Sequence, residues 1–556
     1  MRPRSAPGRR VKANARPFLP GMEQALEYEF DRLEAALKLW DKNPDVFIEM
    51  LGILDSLKDP FHAIDLLREG QVLSPAELFI LANVCACVKR IRSLQEKTAV
   101  SGWPGKAVPP GLDPVDALLA PGSQGQPRFY ISDAYSPALA ETRKTCKQKQ
   151  EMWQREMSRQ ARAVEKALGL RIPGTGEIAV RKSDHDRVEK SRSMPELGET
   201  RQTLAHVYFR LIPNRNAVNL EKELSLLKSK QREQERQVLR ELSRELKQYL
   251  AVIEAASHAL GELDFLLAKV ESARSMDATR PEIIYPSGAD DRGSGNEMSS
   301  GTTGEPGHSS GYRTGPGLVL QDAFHPMVRD QVEARGGTYQ PITIELDSVS
   351  VITGPNMGGK TVALATAGLC VAMAQWGLMV PCRSMKFSLY DLIYFQPGVE
   401  QTPGLSSFAA EIVSLKQPLA RAAQKGLVLL DEVGRGTNPS QGRALYAALL
   451  QYYLENDTAG STVVATTHYH GLAAALGVPH WQVKGLATES LDLEPRREAT
   501  PAEGDGLDWL YRYMDYTLQK VGPDTPTPQD ALVVAKALGL EETIVDKALK
   551  FHGHGG

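Results

Sequence analysis

The residues best placed to do chemistry begin at Gly354. Gly354, Pro355, Asn356, Met357, Gly358, Gly359, Lys360 and Thr361 fit the pattern G-x-x-x-x-G-K-[ST]. A short β-branched run, Val349 to Thr353, precedes them, and a helical run, Val362 to Trp376, follows. Strand, glycine-rich loop and helix form the context in which backbone N–H groups converge on phosphate oxygens. Lys360 supplies a positive charge for the β- and γ-phosphates, and Thr361 a hydroxyl ligand for Mg2+. The positions predict a site for a nucleoside triphosphate with Mg2+.

Three more blocks offer what hydrolysis needs. Leu427 to Leu430 is an apolar strand that ends in Asp431 and Glu432. A carboxylate at such a strand end can hold Mg2+, with Asp431 the metal-side residue, while Glu432 can orient or deprotonate the attacking water. A second apolar strand, Thr462 to Ala465, leads to Thr467 and His468, where an imidazole can sense the γ-phosphate or hold the lytic water. Either feature alone would be ordinary structure; beside a phosphate loop they become a catalytic set. Finally "GLSSFAAEI", Gly404 to Ile412, sets small polar residues just before a helix, where hydroxyls and N–H groups suit an anion. The anion it meets need not be in its own subunit.

These residues need elements to hold them. From about residue 317 to 556, short apolar runs alternate with helical patterns, which predicts an α/β domain with a mostly parallel sheet. Before it the chain reads as all-α. Gly21 to Leu94 repeats apolar residues at helical spacing, and Ser74-Pro75 is a cap followed by proline. Residues 101–128 are rich in Gly and Pro and read as a loop. Ala138 to Leu168 and Leu220 to Lys269 read as two long charged helices, the second spanning about 75 Å at ~1.5 Å per residue. Leu224, Leu227, Val238, Leu242 and Tyr249 lie near a seam, so an antiparallel coiled-coil hairpin is expected, with residues 171–215 as its tip. The expected units are a basic disordered tail at 1–20, a helical core at 21–130, lever helices at 131–275, a linker with a Gly/Ser-rich disordered insertion at 276–316, and the ATPase domain at 317–556.

Charge is uneven along the chain. Sixty-five Lys and Arg against 68 Asp and Glu give a net charge of -3, so bulk charge alone does not make this a nucleic-acid polycation. Residues 141–260, however, hold 25 Lys/Arg against 17 Asp/Glu, a net of +8, and are the place to look for an anionic partner. Five cysteines, sparse and odd in number, fit a reducing cytoplasm, and the basic first 20 residues lack the apolar core of a secretory signal. The one membrane-like stretch, Leu364 to Cys382, follows the phosphate loop directly and reads as a buried helix, not a membrane span.

The four chemical blocks together resemble the MutS superfamily of ABC-type ATPases. "TGPNMGGKT" is similar to that family's phosphate loop, "SSFAAEI" to its signature loop, "DEVGRGT" to its Walker B segment, and "TTHY" to its histidine switch. "FHPMV", Phe324 to Val328, looks like the opening of its ATPase domain, and "LREGQVLSPAELF", "ISDAYSPALAETR" and "LDFLLAKVESA" look like its helical core and levers. The resemblance implies a C-terminal P-loop ATPase domain behind an all-α core with long lever helices. It also implies a homodimer or heterodimer with composite ATP sites, in which Ser406 and Ser407 of one subunit face the γ-phosphate held by the other.

Departures from the family bear on the target. The sequence opens almost at the helical core and runs to Gly556, so neither direct mismatch reading by a wedge nor a nuclease-like domain is expected of it. "THYHG", "HWQVKGL", "YMDYTL" and "PTPQDALVVAKALGL" look more like the MutS-related ATPases that accompany lysine 5,6-aminomutase as its reactivase. Two targets are therefore expected: a B12-dependent aminomutase, to which the C-terminal phrases lean, or, as the alternative, duplex or branched DNA gripped by the levers.

Overall fold

The structure, a computed structural model, describes residues 1–98, 107–123, 129–172, 177–285, 317–355, 359–396, 407–435, 437–456, 459–486, 514–522, 525 and 540–553. The first part is helical: α1 (Ala6–Asn14), α2 (Glu23–Lys42), α3 (Pro44–Ser56), α4 (Phe61–Glu69), α5 (Pro75–Lys97) and α6 (Asp113–Leu119). Ser74 caps α5 in a reciprocal box with Glu77, as the Ser-Pro signal predicts. These helices bury Phe47, Leu54, Leu81, Val88 and Ile91 in one core.

Two long helices leave that body. α7 (Pro137–Leu168) runs out; β1 (Glu177–Arg181), α8 (His185–Ser193), β2 (Leu197–Gln202) and β3 (His206–Leu211) make the tip; α9 (Arg215–Lys247) returns. Pairs Arg143–Glu235 at 2.8 Å, Lys149–Glu223 at 2.6 Å and Asn214–Glu156 at 2.7 Å fix the antiparallel register. The tip is a three-stranded antiparallel sheet in the order β1-β3-β2, with its own small core of Val164, Ile178, Val207 and Phe209. Of the expected seam, Leu224, Val238 and Leu242 are buried, the last two within the helical core, whereas Leu227 and Tyr249 are only half-buried.

The second long helix is not continuous. It breaks after Lys247, and α10 (Leu250–Ser275) starts afresh. No Pro or Gly marks the break. The amide N–H groups of Gln248 and Tyr249 bond back only three residues, to Glu245 and Leu246, tightening the turn. Burial changes there too: α9 has one buried stripe, whereas α10 is buried over most of its surface and runs through the helical core.

Three other expectations are corrected. The basic segment 1–20 is no disordered tail. Ser5 caps α1, and the buried carboxylate of Asp264 in α10 accepts hydrogen bonds from Ser5 N at 2.7 Å, Ser5 Oγ at 2.5 Å and Arg4 N at 3.1 Å. The Gly/Pro-rich segment 101–128 contains α6, whose Val115 and Leu119 reach the helical core. The span 276–316 is not all linker, because β4 (Glu282–Ile283) joins a sheet of the next domain; the Gly/Ser-rich stretch from 286 to 316 lies outside the described residues.

That domain holds β5 (Leu318–Ala323), α11 (Pro326–Ala334), β6 (Ile342–Leu346), β7 (Val349–Thr353), α12 (Lys360–Gln375), β8 (Ser384–Phe387), β9 (Leu392–Phe395), α13 (Ser407–Ala420), β10 (Gly426–Asp431), α14 (Pro439–Asn456), β11 (Thr462–Thr467), α15 (Leu472–Leu476), β12 (His480–Leu486) and β13 (Met514–Lys520). Its main sheet runs β13-β12-β7-β11-β10-β9, parallel except for β13. A smaller sheet runs β4-β8-β5-β6. The central strands are apolar on both faces because helices cover both. α12 packs on one face with Leu429 and Val464, and α14 on the other with Val428 and Leu430. Leu26 and Phe30 of α2 are buried in the α12 side of that core, so the helical body and the α/β domain share packing. Leu364 to Cys382 does begin in a buried helix, α12, and among the described residues no helix is long and apolar enough to cross a membrane.

Candidate nucleotide-binding and hydrolysis site

Strand order brings the chemical blocks together. β7, β11 and β10 are neighbours, with Thr353 opposite Thr467 and Thr466 opposite Asp431. The phosphate loop, the histidine segment and the acidic pair therefore leave one edge of the sheet side by side, at the C-terminal ends of parallel strands where such sheets bind ligands. Gly359, at φ +81°, opens α12, and a Cβ there would lie 3.0 Å from the ring of Tyr516 in β13. Glycine is thus required both by backbone and by space.

Lys360 is 5% exposed. Its ammonium donates to the carbonyls of Gly354 at 2.8 Å and Pro355 at 2.9 Å, and lies 3.1 Å from Oε1 of Glu432. Thr361 donates its hydroxyl to Oδ2 of Asp431 at 2.7 Å. Asp431 Oδ1 accepts from Thr466 Oγ1 at 2.6 Å, and the amide of Glu432 donates to that same hydroxyl oxygen at 3.1 Å. Glu432 has φ +49°, uncommon for a residue with a Cβ, and its second oxygen pairs with Arg435 at 3.2 Å. Four residues from two separate stretches of sequence thus meet within hydrogen-bond reach, with the ammonium already turned toward acceptors that phosphate oxygens could replace.

His468 follows β11, with its ring centroid 4.3 Å from that of Tyr469. Burial lowers its pKa from the ordinary histidine value, against the opposing pull of Glu432. It is close enough to Glu432 and Lys360 to feel their charges. Asn356, Met357, Gly358 and Ser406 lie outside the described residues; Ser407 opens α13. The Mg2+ expected with ATP finds hard oxygen donors in Thr361 and Asp431. Among the described residues no cluster of three or more His, Cys, Asp or Glu could hold a metal unaided. That donor set fits Mg2+, which takes one or two protein oxygens and completes its shell with phosphate and water.

Sequence reading missed Thr466, which ties the metal-side Asp431 to the backbone of Glu432. The doubled Thr466-Thr467 at a buried strand end was its signal. Gln396, at the end of β9, and Tyr516 were missed as well, and neither carries a local motif.

Among the described residues, a parallel sheet covered on both faces sets Lys360 and Thr361, an acidic pair and a histidine at one edge. Residues 350–494 match the family model described as MutS domain V. The chain is 32% identical over 340 residues to Endonuclease MutS2 of Caldicellulosiruptor bescii, covering 60% of this chain and 35% of that protein. It is 29% identical over 530 residues to Endonuclease MutS2 of Thermomicrobium roseum, 90% of this chain and 58% of that one. With Endonuclease MutS2 of Pelotomaculum thermopropionicum it shares 26% over 554 residues, 96% and 61% of the two chains. It spans about a third to three-fifths of the length of these relatives. The chain is thus similar to MutS-type proteins within its α/β domain and to MutS2 proteins over most of its length.

Proposed function

We propose that this protein hydrolyses ATP with Mg2+ and uses the cycle to change the hold of its lever hairpin on DNA. The observation that carries the hydrolytic part is the meeting of Lys360, Thr361, Asp431 and Glu432 at adjoining strand ends. In this reading residues 354–361 cradle the phosphates, and Thr361 and Asp431 hold the metal, which neutralises charge on the phosphates. On binding, the Lys360 ammonium exchanges the carbonyls of Gly354 and Pro355 and the Glu432 carboxylate for phosphate oxygens. Glu432 is thereby freed to accept a proton from water. His468, kept neutral by burial, contacts the γ-phosphate or the water. Ser406 and Ser407 act across a dimer on the partner's nucleotide.

DNA is proposed as the target because residues 141–260, most of them in the hairpin, carry a net +8 and because the relatives are named endonucleases. The reading toward a B12-dependent aminomutase rests on four short C-terminal phrases, the last of which, at 526–540, lies almost wholly outside the described residues, and none of the relatives above is named for that activity. It gives way to DNA. The test is ATP turnover by the full chain with and without duplex and branched DNA. Turnover that requires Mg2+ and changes on adding DNA is expected. Absence of turnover in every condition would remove the hydrolytic reading, and indifference to DNA would remove the target.

A further inference from the structure

The loop after the acidic pair is gripped from two sides by side chains that have no role above. The amide of Gly434 donates to Oε2 of Glu411 at 3.1 Å, and the Tyr469 hydroxyl donates to the carbonyl of the same glycine at 3.1 Å. Glu411 comes from α13; Tyr469 directly follows His468. Gly434 sits at φ +85°, and a Cβ there would stand 2.9 Å from Cα of Gly442. Two residues earlier Glu432 is also left-handed, at φ +49°. A loop with two left-handed positions so close has no regular ladder to hold it, so its shape depends on anchors of this kind.

Glu411 is 5% exposed, and burial pushes its carboxyl above the ordinary glutamate range. Its other oxygen accepts from Nε2 of Gln396 at 3.2 Å. Gln396 is 2% exposed, and among the described residues its own Oε1 has no hydrogen-bond partner. Glu411 therefore joins three stretches of chain: the end of β9, α13, and the loop that carries Glu432. It touches none of Lys360, Thr361 or Asp431 by any bond described here, so whatever it does for hydrolysis passes through Gly434.

We propose that Glu411 is a positioning residue for hydrolysis: by pinning the Gly434 amide while Tyr469 pins its carbonyl, it holds the Glu432 carboxylate beside Lys360, where it can take a proton from water. The proposal rests on Glu432 being the water-activating carboxylate. A purely structural tie would be felt in melting temperature and nucleotide affinity. A positioning tie is felt in turnover.

The experiment compares the full-length chain with E411A, E411Q, Y469F, E432Q and E411A/E432Q in nucleotide affinity, melting temperature and single-turnover ATP hydrolysis. E411A should lower the hydrolysis rate at least about tenfold, and by no more than the ~10²–10⁴ that a general base supplies, with ATP affinity unchanged. E411Q should recover most of the rate. Its amide oxygen still accepts from Gly434, and the Gln396 amide can turn its free Oε1 toward the new N–H donors. Y469F should repeat the rate defect more weakly. In the E432Q background, E411A should lower the residual rate no further, because the carboxylate it aims is gone. A wild-type rate in E411A, or a further loss on adding it to E432Q, would overturn the proposal. Should E411A fail to fold, a wild-type rate in Y469F or no rescue in E411Q does the same. Normal turnover by E432Q itself would instead bring down the reading of Glu432, leaving the two failures distinguishable.

Discussion

The candidate nucleotide site and the long hairpin use charge in opposite ways. In the site, Lys360 and Glu432 are 5% and 12% exposed and lie 3.1 Å apart, each with further partners. On α7, Arg155 and Glu151 are 82% and 50% exposed and 4.0 Å apart. The first pair has lost its water, so its partners must be replaced one for one when a ligand enters. The second keeps its water and contributes little to the fold, which leaves the arm's cations free to be shared with an outside polyanion. Fixed charges suit chemistry at one point; solvated charges suit a partner with many phosphates.

Salt should break this comparison most visibly. If the hairpin makes about 6–10 phosphate contacts, DNA affinity should fall by about 10³–10⁵ between about 50 and about 200 mM salt, while ATP affinity changes far less. Fluorescence anisotropy of labelled DNA beside a nucleotide titration measures both in the same buffers. Next in size is Glu432→Gln, which keeps shape but removes basicity. Single-turnover hydrolysis should drop by about 10²–10⁴ with ATP still bound. Lys360→Ala removes a charged hydrogen-bond donor worth roughly 1.5–3 kcal/mol, so ATP affinity should fall by roughly 10- to 150-fold, with DNA binding in the absence of nucleotide unchanged.

The lever should be far more tolerant. Arg143→Ala removes half-exposed pairs to Asp133 and Glu235, and thermal unfolding should report a loss of no more than about 1 kcal/mol. A pH scan sharpens the contrast from the other side. Burial lowers the pKa of His468 and of His480, whose Nε2 lies 2.8 Å from the Thr353 hydroxyl. Both are harder to protonate folded than unfolded. Their contribution to stability is therefore present above the ordinary histidine value and lost as pH falls through the lower folded one. The α/β domain should weaken over that window before the arm does, read by amide hydrogen exchange in each region.

How far the sequence carries depends on how far apart the interacting residues lie. The phosphate loop and its flanking strand and helix are consecutive, so their chemistry is legible directly, and β7 begins and ends where the β-branched run does. The strands behind Asp431 and His468 were legible for the same reason. α1 was not. Its cap is local, but its partner, Asp264, is some 260 residues away, and nothing in a run of arginines announces it. The break between α9 and α10 was hidden because it arises from a change in what surrounds the helix, without a breaker residue. Glu411 was visible only as part of an anion-facing loop; its bond to Gly434 exists because α13 and the loop after β10 are brought together by the sheet.

The helix that begins at the phosphate loop also has a far end. α12 has 16 residues, about 24 Å at ~1.5 Å each, and its last turn meets the buried ammonium of Lys269 from α10, which donates to the carbonyls of Trp376 at 3.4 Å and Gly377 at 3.2 Å. Glu29 of α2 holds that ammonium at 2.7 Å. Aligned peptide dipoles give a helix partial positive charge at its start and partial negative charge at its finish. In α12 the negative pole is answered by a cation belonging to the lever's own continuation, and the positive pole opens onto the phosphate loop. One helix thus sets the proposed phosphate site and the root of the hairpin at opposite ends of a single electrical axis.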